Sequence, residues 1–185
     1  MRFNTHYHLE GRHSFLTPSK PSWLKYDDDK LDRVFHTAEA ARRGTRIHDV
    51  AKELISLGLV MPRNNKTLNM YVNDAIGYRM EPEQRLYFSD NCFGQADAIG
   101  FRNNKLRIHD LKTGVNQTTF TQLEVYAALF CHEYGERPFD IEMELRIYQN
   151  DDVRVHIPDP GDIMGIMEAI KHMDKRIEFL KEAIS

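Results

Sequence analysis

The chain has 185 residues, with 25 Lys+Arg against 28 Asp+Glu and a formal net charge of −3, a size that suits one domain with a sizeable core. Hydrophobic residues at 41% and charged residues at 29% exclude a disordered chain. No apolar run approaches the ~20 residues of a membrane helix, and two cysteines, Cys92 and Cys131, exclude a disulfide framework and a four-cysteine zinc or iron–sulfur site, so a reducing cytoplasmic setting is expected.

Taken in chain order, residues 1–30 read as a leading extended segment, with His6, His8 and His13 among aromatic and aliphatic residues. Alternating histidines suit a polar edge strand better than a metal site. Thr17-Pro18-Ser19 and Pro21 mark a turn, and Asp27-Asp28-Asp29 reads as a loop or the start of a helix. Leu31 to Leu57 is helix-forming, with an expected break at Gly44. Ile47, Val50, Ala51, Leu54 and Leu57 recur at helical spacing before a capping Gly58. From Glu83 to Gly114 three short segments separated by Ser89-Asp90-Asn91 and Arg102-Asn103-Asn104 predict a three-stranded meander. Thr118 and Thr119 are expected to cap a helix through Gln122, Tyr126 and Phe130. Ile141, Met143, Leu145 and Ile147 alternate with charged residues, as in a half-buried strand, and Val153 to Ile157 can pair with it. Ile163, Ile166, Ile170, Met173, Ile177, Leu180 and Ile184 form one stripe on a terminal helix over residues 161–185. At 3.5-residue spacing this stripe also suits an oligomer contact, although packing on the sheet explains it more simply. The order predicts an α/β (α+β) fold built on a mixed sheet, a single domain over 1–185 with its core over 31–160.

One strand breaks its own pattern. In Leu106 to Lys112, the face that starts with Leu106 and Ile108 ends with Asp110 and Lys112. Charges on a core face are costly unless they are paired, solvated or bound to a metal. A meander can place Asp97 beside Asp110, and two carboxylates from adjacent strands suit a hard divalent cation such as Mg²⁺ or Mn²⁺. Lys112 can then offset charge on a phosphate.

The segments GQADAIG (94–100), LRIHDLKTG (106–114) and QLEVY (122–126) together resemble the PD-(D/E)xK nuclease superfamily. The likeness is to its RecB-type branch of phage-encoded and CRISPR-associated exonucleases. Gly94/Asp97 matches the G-x-x-D segment, Asp110/Lys112 the D-x-K strand, and Gln122/Tyr126 the Q-x-x-x-Y helix. Gly44-Thr45-Arg46-Ile47-His48 matches an upstream G-T-x-x-H pattern. The resemblance implies a restriction-endonuclease-like core, a central mixed β-sheet flanked by helices. It implies metal ligation by His48, Asp97, Asp110 and the Leu111 carbonyl, with Lys112 as catalytic lysine and Gln122 and Tyr126 supporting the site or touching DNA. Glu83 matches a further acidic position, with Glu81 as its competitor.

The implied activity is metal-dependent DNA phosphodiester hydrolysis, as an exonuclease in recombination, repair or phage DNA processing. The competing reading is a non-catalytic nucleic-acid-binding or interaction module that keeps the fold. Cations cluster at Arg33, Arg42, Arg43, Arg46 and Lys52, and again at Arg102, Lys105, Arg107 and Lys112. Arg42, Arg43, Arg46 and Arg107 are accordingly expected to contact DNA, as linear ends or single strands. No P-loop motif occurs, so ATP-driven unwinding would need a helicase or single-strand annealing partner.

Overall fold

The computed structural model describes residue 7 and residues 14–183, so His6, His8, His13 and Ile184 lie outside the described residues. The chain divides into two compact units, residues 1–42 and 43–185. The boundary falls inside helix α1 (Asp28–Leu57).

In the first unit a short 3₁₀ turn covers Pro21–Lys25, and the Trp23 indole Nε1 donates to the Thr17 carbonyl at 3.0 Å. The acidic triplet starts α1. Asp27 Oδ1 accepts from the Lys30 amide at 2.8 Å, and Asp28 and Asp29 occupy the first turn, where the helix dipole favours negative charge. Phe15 meets Phe35 edge-on at 5.6 Å.

The second unit contains the sheet. It comprises the rest of α1, α2 (Thr67–Gly77), β1 (Glu81–Ser89), β2 (Cys92–Arg102), β3 (Lys105–Leu111), α3 (Thr121–Tyr134), β4 (Glu142–Gln149), β5 (Asp152–His156) and α4 (Pro160–Glu182). The strands lie in chain order, β1-β2-β3-β4-β5, antiparallel except for the parallel β3–β4 pair. A parallel pair needs a crossover, and α3 provides it. The result is a mixed α/β fold, a five-stranded mixed sheet flanked by helices.

Period-2 alternation sends Leu106 and Ile108 of β3, with Met143, Leu145 and Ile147 of β4, into a core shared with α3 and α4. Leu111 and Tyr148, of opposite parity, pack with Ala51 and Ile55 of α1 and Tyr71, Val72 and Ala75 of α2. Both faces of the central strands are therefore covered.

That corrects the half-buried reading of β4. Glu144 is only 9% exposed. It sits within 3.0 Å of Lys105 Nζ and 2.9 Å of an Arg146 guanidinium nitrogen. Arg146 also reaches Asp74 Oδ2 at 2.9 Å and donates to the Tyr78 hydroxyl at 2.9 Å. Tyr148 donates its hydroxyl proton to Asp74 at 2.7 Å, so the 3.2 Å contact between Tyr148 Oη and His109 Nδ1 requires the proton on Nδ1. His109 Nε2 is then a buried acceptor without a partner. Burial, seconded by Arg146, pushes the His109 pKa down to about 3, so the ring is neutral.

Three further expectations change. Gly44 does not break α1, which runs through it as thirty continuous residues. Its role is steric, since a Cβ there would lie 2.8 Å from Thr113 Oγ1. Thr118 and Thr119 do not cap α3, whose N-cap is Phe120 with no side-chain hydrogen bond. Gly58 does end α1, at φ +65°.

Leu145 is fully buried in the α3/α4 core. Leu145→Ala should cost about 2–5 kcal/mol, measured as a lower urea midpoint with an unchanged denaturant slope.

Candidate active site

The site is built where one strand pair ends. The β2–β3 ladder runs as far as Ala98↔His109. The next residues in that register, Asp97 and Asp110, face one another without a backbone pair. Instead the Leu111 amide donates to Asp97 Oδ2 at 2.8 Å. β3 continues along β4 through Asp110↔Ile147 and Leu111↔Tyr148, and the Lys112 amide donates to the Tyr148 carbonyl at 2.9 Å.

On the other side of β2, Glu83 lies opposite Asp97 in the β1–β2 register, between Pro82↔Ala98 and Gln84↔Ala96. Its φ of +54° is left-handed, an unusual geometry for a non-glycine residue. Gln95 Nε2 donates to Glu83 Oε2. Three carboxylates from three adjacent strands thus occupy one row, Glu83–Asp97–Asp110.

Helix α1 brings His48 to this row. Its Nδ1 lies 3.4 Å from Asp97 Oδ2, and one donor atom each from His48, Glu83 and Asp97 fall within 4.8 Å of one another. The structure therefore places Glu83, not Glu81, with the expected ligands. Glu81 is exposed at the start of β1, paired with Ile99.

Asp110 stands beside that group on a different footing. It is 3% exposed; Oδ1 is 3.0 Å from Lys112 Nζ, and Oδ2 is buried with no hydrogen-bond partner. Lys112 Nζ donates to Gln122 Oε1 at 3.0 Å, and Gln122 Nε2 donates to the Tyr126 hydroxyl at 3.1 Å. Gln122 and Tyr126, four residues apart on α3, share a helix face. Gly94 makes room for this chain of contacts, since a Cβ there would lie 2.8 Å from Tyr126 Cε1. Of Leu111, the amide enters the contacts, through Asp97.

The local charges are not balanced. Burial first, then the Asp97 carboxylate, pushes the Asp110 pKa up to about 6, against the lowering effect of Lys112. Burial and then Asp97 also raise Glu83. His48 is raised by its hydrogen-bonded partner Asp97, with burial opposing. Tyr71, 2% exposed on α2, is raised by burial and by Asp97, Glu83 and Asp110. Tyr71 escaped the sequence reading, although Leu68, Tyr71, Val72 and Ala75 carry a helical signal.

The expected DNA-contacting arginines divide. Arg43 and Arg46 are exposed on α1 in the second unit, whereas Arg42, in the first, pairs with Glu39 at 2.7 Å. Arg107 has opposite parity to Asp110 on β3 and lies over the Tyr78 ring at 4.5 Å. It does not flank the carboxylates.

No family model and no curated protein matches the sequence. Among solved structures, the crystal structure of SSO0001 aligns with a TM-score of 0.37 and 13% identity, over 82% of this chain and 68% of that one.

Because the folded pKa of Asp110 lies above its unfolded value of 3.8, its contribution to stability is complete below about pH 4 and lost as pH rises through about 6. In EDTA, Asp110→Asn should gain on the wild type across that window, by on the order of 3 kcal/mol at pH 7. Paired denaturant melts at pH 4, 5, 6 and 7 measure the difference.

Proposed function

We propose that this chain is a metal-dependent DNA nuclease of the PD-(D/E)xK type, with a restriction-endonuclease-like core, that hydrolyses phosphodiester bonds. The observation that carries the proposal is the row Glu83–Asp97–Asp110 with His48 at one side and Lys112 at the other. The residues fit a divalent cation such as Mg²⁺ or Mn²⁺. The donors are carboxylate oxygens and one imidazole nitrogen, and Asp110 Oδ2 is a buried acceptor that hydrogen bonds leave unused. His48, Glu83, Asp97 and Asp110 would hold the ion, which lowers the pKa of water and offsets charge on the phosphate.

The chain's own groups supply the rest. Lys112 is held between Asp110 Oδ1 and Gln122 Oε1, both at 3.0 Å, so its ammonium is fixed before a phosphate arrives. Tyr126 orients Gln122, and Gly94 admits the Tyr126 ring. Arg43 and Arg46, exposed on the helix that carries His48, provide cations for the DNA backbone. The same reading extends to an exonuclease role in recombination, repair or phage DNA processing, with a helicase or single-strand annealing protein as partner. Cys92 and Cys131 are free thiols, Cys131 buried and Cys92 half-buried. Among the described residues no helix is long and apolar enough to cross a membrane.

Labelled linear and circular DNA incubated with Mg²⁺ or Mn²⁺ provides the test. The wild type should cut linear DNA, with Mn²⁺ supporting at least as much activity as Mg²⁺. Asp110→Ala and Lys112→Ala should each lower the rate by roughly 10²-fold or more, the scale of losing a preorganised charge. Intact substrate with wild type, or equal cutting by the variants, sinks the proposal. Retention of DNA without cutting identifies the non-catalytic module.

Gly94→Ala provides a subtler check. The added methyl must displace the Tyr126 ring, so the cutting rate should fall about tenfold with a circular-dichroism melt near that of the wild type.

A further inference from the structure

A second cationic feature lies away from the carboxylate row. Gly77, Tyr78 and Arg79, at and just after the end of α2, face the β2–β3 hairpin and the start of β4 across an open cleft of about 560 Å³. Arg79, Arg102, Lys105 and Arg107 line it, with Asn103 and Glu142.

The hairpin is built rigidly. Asn103 and Asn104 have φ +50° and +60°, a tight two-residue turn that sets Arg102 directly opposite Lys105. The Asn104 side chain donates to the Asp140 carbonyl, and the Asn104 carbonyl accepts from the Glu142 amide at 2.9 Å. At the facing wall, the Tyr78, Arg79 and Met80 amides already occupy the last carbonyls of α2.

The cations fall into two pairs. Lys105 is partly neutralised by Glu144 at 3.0 Å and by Glu142 at 3.7 Å, and Arg107 by Glu144 at 3.5 Å, yet Arg107 Nε is buried without a hydrogen-bond partner. The Arg107 guanidinium lies over the Tyr78 ring, 4.5 Å from its centroid. Arg79 and Arg102 are exposed and have no carboxylate partner among the described residues. Two unpaired guanidinium groups lining one cleft with a third, over Tyr78, favour an anion, and guanidinium forks match phosphate oxygens.

We propose that this cleft is a second phosphodiester-binding site, gripping the DNA backbone away from the metal centre. The identity of its ligand rests on the nuclease reading. Five residues of β3 at about 3.3 Å each separate Lys105 from Asp110, roughly 16 Å. The opposite parity of Arg107 and Asp110 puts the cleft on the other face of the sheet. The cleft therefore binds DNA without touching the reacting phosphate.

Fluorescence anisotropy of labelled DNA in EDTA, over a salt series, tests the inference without any cutting. Arg79→Gln/Arg102→Gln should weaken binding about tenfold at low salt and lower the salt slope by about two, one per lost phosphate contact. Arg102→Lys should keep most of the affinity, and all variants should melt with the wild type because both side chains are exposed. Unchanged affinity and slope overturn the inference. So does a loss confined to inorganic phosphate or a mononucleotide used as competitor, with DNA affinity intact. The two proposals separate cleanly: normal binding by the double variant with wild-type cutting removes only the cleft. Weakened binding by the double variant, with no cutting by the wild type in metal, removes only the nuclease.

Discussion

The arrangement depends on one hydrogen bond, from the Leu111 amide to the Asp97 carboxylate at 2.8 Å. A sheet normally satisfies such an amide with a carbonyl on the neighbouring strand. Here β2 withdraws its backbone and substitutes a side chain, so the ladder ends without orphaning a buried donor. Beyond that point β3 is held only by β4. Asp110 and Leu111 therefore lie where no β2 backbone pairs with them, while remaining in a strand whose register β4 fixes. Local opening and rigid placement usually oppose each other, and this bond reconciles them.

The same arrangement leaves unfavourable electrostatics in place. Asp110 is buried beside Asp97, and Lys112 is the one cation within ion-pair distance of it among the described residues. The raised pKa of Asp110 records how far the fold disfavours its charged form. Proteins keep strained charge at functional sites because the strain is relieved when a partner of the right sign binds. On the opposite face the polar groups are closed among themselves. Asp74, Arg146, Tyr148 and Glu144 satisfy one another under α2, and His109 stays neutral. Adjacent residues of β3 thus face opposite sides of the sheet, each buried with one polar atom that no hydrogen bond uses, His109 Nε2 and Asp110 Oδ2.

Much of this was legible in the sequence. Strand alternation placed Leu106, Ile108, Asp110 and Lys112 on one face and the turn residues delimited the meander, whereas the α4 stripe packs on the core only at Ile163, Ile166 and Ile170 and leaves Met173, Ile177 and Leu180 exposed. What escaped depended on long-range context. Glu144 and Arg146 read as solvent-facing because alternation reports polarity, and a polar residue buried under a helix looks the same as an exposed one. Gly44 read as a helix breaker, yet its reason is Thr113, distant in sequence. Glu83 and Glu81 have equal chemistry and the same parity, and only the register opposite Asp97 separates them. The leading resemblance pointed to the carboxylates, and the cleft beside Arg79 had no counterpart in it.

The hairpins β1–β2 and β2–β3 join neighbours in sequence, so the three carboxylates come together through short loops. His48 belongs to a helix far upstream, and β4 reaches β3 only after the α3 crossover. Loop-closure entropy makes local pairings fast and distant ones slow. On that ground the acidic row is expected to form before His48 and β4 join it, as a meander of mutually repelling charges. Counter-ions present during refolding would act on the rate as well as on the final stability, because the repulsion is felt before the fold that tolerates it is complete.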